Sequence, residues 1–438
     1  MNWKETISLI NTTRGTGDKK NLNRMRLLLK ELGNPETDLP VIHVAGTNGK
    51  GTTCAYIAHS LARAGYKTGL YTSPHLERVN ERIRINDCYI SDQDLMALTG
   101  QIAPIIDHLE DCLGEKYYSF EILTALAFLY FQQAGVDFLV LETGVGGKID
   151  ATNVVPAPLV SVITSIGYDH THVLGNTLEK ITRHKAGIIK KDCPVVVGPL
   201  ADHLLAIVKE VSKEMDSNLT IVHPDKFDIV HQTLDYQSFK YGGDLVLETQ
   251  MIGNHQLINT ALAYEALKIV QQSYPDLTDL DILEGLKTTH WPGRMQKLSD
   301  QPVVVLDGAH NEIGVKALRQ SIDHFFPGKK ITYFAGMMVE KDFAKMFDLL
   351  GETADKFYLI SPDLTRGFDV DQAVQSLTDK GYQASSVASL QAILDYINQQ
   401  ARGDEIIIIF GSLYLVGDLL KLYHEQALSL IHISEPTR

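Results

Sequence analysis

The stretch Pro40-Val-Ile-His-Val-Ala-Gly-Thr-Asn-Gly-Lys-Gly-Thr-Thr53 decides the fold. It opens as a short, nearly unbroken apolar run, the pattern of a strand buried on both faces. Glycines follow at positions 46, 49 and 51 with Lys50 between the last two, and Thr53 to Ala64 then carries Ala, Ile and Leu at helical spacing. A strand, a glycine turn and a helix in that order make a cradle for an anion. Glycines turn backbone N–H groups inward, Lys50 adds a charge, the helix N-terminus adds its dipole, and the Thr52 hydroxyl can reach Mg²⁺. The spacing departs from G-x-x-x-x-G-K-[ST], because Gly51 separates Lys50 from Thr52. The competing reading is a tight turn that happens to hold a lysine. Three glycines between a strand and a helix favour the phosphate cradle.

Outward from this stretch, strand-like and helix-like segments alternate. Lys67–Thr72, Asp137–Glu142, Leu159–Thr164 and Pro194–Gly198 read as buried strands, and Phe120–Phe131 as a helix. Such alternation predicts an α/β fold, a mostly parallel sheet covered by helices. Polar residues sit just after the apolar runs: Thr47 to Thr53, Ser73, Glu142, and Asp169 with His170. Ligands of open α/β sheets bind beyond the carboxyl ends of the strands, so these four groups point to one crevice. Near His290-Trp-Pro-Gly-Arg294 the helical pattern breaks, and Pro302–Asp307, Lys330–Ala335, Lys356–Ile360 and Glu405–Phe410 resume the alternation. We therefore expect an ATPase-like domain over residues 1–295 and a smaller Rossmann-like α/β domain over 296–426. A helix is expected over Tyr414–His424. The segment 427–438 shows no pattern that continues it and is expected to be a non-native tail without function.

Length and composition bound the function. At 438 residues the prior is two or three domains of roughly 150 residues each. A formal net charge of −14 argues against a general nucleic-acid or anionic-membrane coat, though not against a local basic pocket. No apolar run reaches the roughly 18 residues of a membrane span, and Met1–Ile10 lacks the pattern of a secretory signal. Cys54, Cys88, Cys112 and Cys193 are scattered and read as free thiols of a cytoplasmic protein.

Single residues divide between chemistry and architecture. Ser73, before Pro74 and His75, is by itself most simply a turn hydroxyl bonded to its own backbone. Glu142 ends a buried strand, which is costly for a carboxylate unless it is paired or bound to a metal; beside a phosphate cradle, Mg²⁺ is the better reading. His170 is a metal ligand or base on one reading and a structural histidine on the other. Lys185 falls in an expected helix, Leu178–Lys191, on an apolar face with Ile181 and Ile188. Snorkelling to water is its simplest fate, and a desolvated amine open to covalent modification is the sharper one. Asp307-Gly-Ala-His-Asn311 and Gly411-Ser412 follow strands in the second domain, and together suggest a second crevice facing the first. Arg294 at the boundary can reach across to phosphates.

These residues resemble the folylpolyglutamate synthase and dihydrofolate synthase family of the Mur ligase superfamily. The resemblance rests on His43-Val-Ala-Gly-Thr-Asn-Gly-Lys-Gly-Thr52, Thr72-Ser-Pro-His-Leu76, Ser119-Phe-Glu-Ile-Leu-Thr-Ala125, Glu142-Thr-Gly-Val-Gly-Gly147 and Asp150-Ala-Thr-Asn153. Further on it rests on His184-Lys-Ala-Gly-Ile188, Trp291-Pro-Gly-Arg294 and Asp307-Gly-Ala-His-Asn311. It runs from Gly15-Thr-Gly17 and Leu32-Gly-Asn-Pro35 to Gly411-Ser-Leu-Tyr-Leu-Val-Gly-Asp418, nearly the whole chain.

The resemblance implies roles. Gly46, Thr47, Asn48, Gly49, Lys50, Gly51 and Thr52 would hold the ATP phosphates, with Asn259, Arg294 and Asp307 also contacting nucleotide. Ser73, Glu142 and His170 would bind two Mg²⁺ ions, and Lys185 would be carbamylated. His310 would take part in catalysis where the incoming glutamate binds, with His75 and Ser412 on the substrate side. Lys148 stands where Arg is common and Glu312 where Pro is common; neither removes a group the reaction needs. The implied reaction joins L-glutamate to a folate carboxylate through an acyl phosphate, extending the polyglutamate chain or also making dihydrofolate from dihydropteroate. A monomer is expected, with folate, L-glutamate and ATP as partners and neither nucleic acid nor membrane. A cell-wall Mur ligase would need a nucleotide-sugar domain before Gly46. A nucleotide switch would have no use for the Asp307–Asn311 and Gly411–Ser412 sites.

Overall fold

Val41–Ala45 forms β1, buried along its whole length as its composition requires. It lies inside an eight-stranded sheet with β2 (Thr68–Tyr71), β3 (Ile83–Ile85), β4 (Cys88–Tyr89), β5 (Phe138–Glu142), β6 (Val160–Ile163), β7 (Val195–Val197) and β8 (Leu219–Ile221). The order is β4-β3-β2-β5-β1-β6-β7-β8, parallel from β2 to β8, with β3 and β4 added antiparallel at one edge. From β1 the chain crosses to β2 and β5 on one side and then to β6 on the other. That reversal makes the carboxyl end of β1 a topological switch point, where such sheets open a crevice. The register brings Val44 beside Glu142, so the strand-end carboxylate stands next to the start of the glycine turn.

Two of the cores that hold the sheet lie on its opposite faces. On one face, helix Lys50–Arg63 packs with helices Asn254–Gln271 and Asp279–Thr288, burying Ile57, Leu61, Val140, Leu262 and Leu286. On the other, helices Asp92–Leu113 and Ser119–Ala134 bury Ile102, Leu126 and Phe128 against Leu139 and Leu141. Each fully buried side chain of this size contributes about 1.5–3 kcal/mol of transfer free energy, enough in sum to fix the glycine turn on a rigid base. A small antiparallel sheet, β11-β10-β9, is built from β9 (Phe227–Gln232), β10 (Gln237–Tyr241) and β11 (Val246–Thr249). The sequence marks no element there, since strands of four to six residues without a regular in/out alternation carry a weak signal.

The second α/β unit is a six-stranded sheet of β12 (Gln296–Asp300), β13 (Val303–Asp307), β14 (Ile331–Ala335), β15 (Ala354–Leu359), β16 (Ala384–Ser386) and β17 (Ile406–Phe410). Its order is β12-β13-β17-β14-β15-β16, parallel except for β12. Asp307 pairs in register with Phe410, which sets the turn after β13 beside Gly411 and Ser412.

The computed structural model describes residues 1–11, 22–339, 343–361 and 367–434, with side chains through Gln426. Gly15-Thr-Gly17 and residues 435–438 lie outside the described residues. Two expectations are corrected. The helix that holds Lys185 is Leu178–Ala186 and does not reach Lys191, because the chain turns at Gly187 to pack Ile188 and Ile189 into the core. The last helix runs from Leu413 to Ser434 rather than ending at His424. No described helix is long and apolar enough to cross a membrane.

Candidate functional site

After Ala45 the chain makes a turn that only glycine permits. Gly49 has φ +85°, and a Cβ built there would lie 2.4 Å from the Asn259 side-chain oxygen; one built on Gly46 would lie 1.8 Å from Thr164 Oγ1. Gly49 is the N-cap of helix Lys50–Arg63 and supplies no side-chain cap, which leaves the first helical N–H groups facing the crevice. The turn is pinned to the loop after β6. Thr47 N donates to Ser165 O at 2.8 Å, Thr47 Oγ1 to Gly167 O at 3.1 Å, and Asn48 N to Ser165 Oγ at 3.0 Å. Asn259 is held over it by donating to Gln256 Oε1 at 2.8 Å.

The charges converge below this turn. Lys50 Nζ donates to Thr47 O at 3.2 Å and stands 3.8 Å from Glu142 Oε1. Glu142 is 3% exposed and accepts from Ser73 N at 3.0 Å. Burial pushes its carboxyl above the usual range, while Lys50, the Ser73 N–H, Arg294 and Arg82 pull it back. Lys185 is 3% exposed, and its Nζ donates to Gly46 O at 2.6 Å. Desolvation, with Lys50 nearby, holds that amine well below an ordinary lysine, against weaker attraction from Asp169 and Asp150. Snorkelling, the simplest reading of the sequence, is thus overturned: the ammonium end points inward, onto the Gly46 carbonyl of the glycine turn.

The second unit closes the crevice. Asp307 is fixed by its own turn, accepting from Met295 N at 2.9 Å and Ala309 N at 2.8 Å. His310 Nδ1 lies 2.8 Å from Gly308 O; a carbonyl can only accept, so Nδ1 carries the proton and Nε2 faces Asp169 Oδ2 at 3.7 Å. Asn311 Nδ2 donates to Asp169 Oδ2 at 3.0 Å, and its amide pairs with that of Asn48 at 2.9 Å. Burial lowers the Arg294 guanidinium, with Asp307 and Glu142 acting the other way.

The resulting cavity measures about 570 Å³. Gly46 to Thr52, Ser73, Glu142, His170, Lys185, Asn259, Arg294, Asp307 and His310 all line it. His75 and Ser412 are not among its lining residues. His75 Nδ1 accepts from Arg82 Nε at 2.9 Å, and Ser412 Oγ accepts from Tyr414 N at 3.2 Å at the start of the last helix. The sequence marks Asp169 and Asn311 only as members of strand-end motifs and gives Arg82 and Trp291 no separate role. Arg82 lines the cavity, and Trp291 lies beside Gly51, where an added Cβ would be 3.3 Å from its Nε1. Asp169 and Asn311 had already stood in quoted motifs, but their pairing spans 142 residues and no local pattern shows it.

Among the described residues no three His, Cys, Asp or Glu side chains cluster as a closed metal site. Beside the phosphate cradle the cavity offers the buried Glu142 carboxylate with the Ser73 and Thr52 hydroxyls, while the other buried carboxylate, Asp307, is taken up by the Met295 and Ala309 N–H groups. That donor set fits Mg²⁺, which takes one or two protein oxygens and completes its shell with phosphate and water.

Residues 44–267 match the Mur ligase middle domain, and residues 293–413 the Mur ligase glutamate ligase domain. The chain is 35% identical over 418 residues to the Bacillus subtilis dihydrofolate synthase/folylpolyglutamate synthase, covering 92% of this chain and 95% of that protein. It is 36% identical over 433 residues to the folylpolyglutamate synthase of Lacticaseibacillus casei, covering 95% and 97%. An FPGS–AMPPCP–folate complex superposes with a TM-score of 0.83 at 34% identity, over 97% of this chain and 100% of that one. With both domain matches in order and full-length relatives above 30% identity, the chain belongs to the folylpolyglutamate and dihydrofolate synthase family of Mur ligases.

Proposed function

We propose that this ligase uses ATP to join L-glutamate to the terminal carboxylate of a folate, lengthening its polyglutamate tail. The observation that carries the reading is the convergence of Lys50, Glu142 and the Gly49 turn with Arg294 and His310 of the second unit around one cavity. The cavity size suits a nucleotide and the reacting end of a second substrate. AMPPCP, which an FPGS relative of this fold binds together with folate, is ATP with a methylene between its last two phosphorus atoms.

In the mechanism we propose, the N–H groups from Gly49 to Thr52 and the Lys50 ammonium hold the β- and γ-phosphates. A folate carboxylate oxygen bonds to the γ-phosphorus as the bond to the ADP oxygen breaks, giving an acyl phosphate. The α-amine of glutamate then bonds to the acyl carbon, phosphate leaves, and the ammonium proton passes to solvent. Lys50 and Arg294 offset the charge that develops on the transferred phosphoryl group. Mg²⁺, held by Glu142, Ser73 and Thr52, would neutralise phosphate oxygens, and His170 on the cavity wall is the candidate ligand for a second ion. His310, with Nε2 facing Asp169, lies where the glutamate amine would approach. Meeting of the two units through Asn48, Asn311 and Asp169 shields the acyl phosphate from water. The lowered basicity of Lys185 leaves a neutral amine that can add to CO₂, forming a carbamate with loss of one proton. The enzyme is taken as a monomer with its domain boundary at residues 295/296. Residues 427–438 are taken as a tail outside the catalytic unit.

A second reading, that dihydropteroate is also an acceptor, is favoured by the double name of the B. subtilis relative. Coupled measurement of ADP release with tetrahydrofolate or dihydropteroate as acceptor, each with glutamate, tests both. Release with neither acceptor overturns the proposed reaction.

A further inference from the structure

A second crevice, of about 600 Å³, lies outside the nucleotide cavity and shares Leu174 with it as a common wall. Its floor is apolar, with Leu174, Ala186 and Ile189 all buried. Lys148, Lys180, Arg183 and His184 stand around it against one acid, Glu214. Three full cations on one rim are notable in a chain whose formal net charge is −14. Arg183 is paired with Glu210 at 2.9 Å, and among the described residues Lys180 reaches only Asn176, at 3.5 Å. Lys148 makes no hydrogen bond or ion pair through its ammonium among the described residues. None of these groups takes part in the mechanism above.

We propose that this crevice is a subsite for the carboxylates of an oligo-γ-glutamate tail. The inference rests on the proposed folate–glutamate ligation and names where its growing product lies. Each round of ligation leaves one α-carboxylate behind the reacting end, so the substrate becomes a polyanion with short apolar spacers. A cationic rim over an apolar floor, one side chain away from the nucleotide cavity, matches that chemistry. Lys148 continues the loop Gly144–Gly146 that lines the nucleotide cavity, so the chain itself joins the two sites.

The test compares tail lengths in the full-length enzyme. Lys148 and Lys180 are exposed, so the double variant Lys148→Ala/Lys180→Ala retains the fold, which its unfolding curve verifies. With the monoglutamate acceptor, kcat and KM should match the parent. With tri- and tetraglutamate acceptors, KM should rise about three- to tenfold, the range for losing two solvent-facing charge contacts, with kcat unchanged. Products at long incubation should carry shorter tails. An equal KM change at every tail length, or none at any, overturns the subsite. A free tetra-γ-glutamate peptide should bind the parent and not the variant. Inorganic phosphate that displaces it at equal concentration would show an unselective anion patch and also overturn the proposal. Failure of the parent to use any folate would instead overturn the proposed function, which keeps the two readings distinguishable.

Discussion

Replacing Gly49 by Ala should damage the phosphate cradle through two separable costs. The backbone at Gly49 has φ +85°, where an L-residue costs about 1–2 kcal/mol. The new methyl would also lie 2.4 Å from Asn259 Oδ1, so Asn259 must move, and its hydrogen bond to Gln256 is lost at about 1 kcal/mol. Together these come to about 2–3 kcal/mol. Gly33 has nearly the same φ, +83°, with nothing within 4 Å of an added Cβ, so Gly33→Ala isolates the backbone cost. Urea unfolding should therefore rank the parent above Gly33→Ala, and that above Gly49→Ala, with about 1 kcal/mol separating the two variants. Adding Asn259→Ala to Gly49→Ala should recover part of the loss, a coupling that a double-mutant cycle measures. The displaced turn carries the phosphate contacts, so KM for ATP should rise about tenfold or more in Gly49→Ala and stay unchanged in Gly33→Ala. Equal stability of the two variants, with unchanged KM for ATP, would refute the steric account of the cradle.

Three further outcomes follow from the site. Lys50→Ala should lower kcat by about a thousandfold while circular dichroism shows an intact fold; turnover near the parent rate would remove Lys50 from phosphoryl transfer. Lys185→Ala should abolish turnover, and carbon-13 bicarbonate should give a carbamate resonance in the parent that the variant lacks. His43 is fully buried, donates through Nε2 to Thr152 at 2.8 Å, and is held down to about 3 by burial. The unfolded chain binds that proton and the folded one does not, so stability falls as pH drops from about 6.5 toward 3, at about 1.4 kcal/mol per unit. His43→Gln should flatten that acid limb, and identical pH profiles would show that another group titrates there.

The cradle was legible because its residues are local: a buried strand, three glycines and a lysine within fourteen positions leave few alternatives. Glu142 was legible because a strand-end carboxylate breaks an otherwise apolar run. Lys185 was only half legible: its apolar helix face allows either snorkelling or a desolvated amine, and the contact that decides between them, with the Gly46 carbonyl, spans 139 positions. The Asn48–Asn311–Asp169 contact joins residues up to 263 positions apart, beyond any periodicity. The small antiparallel sheet of β9 to β11 carries little signal because its strands are only four to six residues long and β9 is largely exposed. The Leu178 helix stops short of Lys191 because Gly187 is its C-cap, an end that the apolar spacing of Ile181 and Ile188 does not mark.

The most direct test of the central claim is ADP release measured with purified enzyme, ATP and Mg²⁺ under four conditions: alone, with tetrahydrofolate, with L-glutamate, and with both. The account predicts sustained release only with both, with one glutamate incorporated into folate for each ADP formed. Release that needs neither acceptor, or that proceeds without glutamate entering folate, would contradict it.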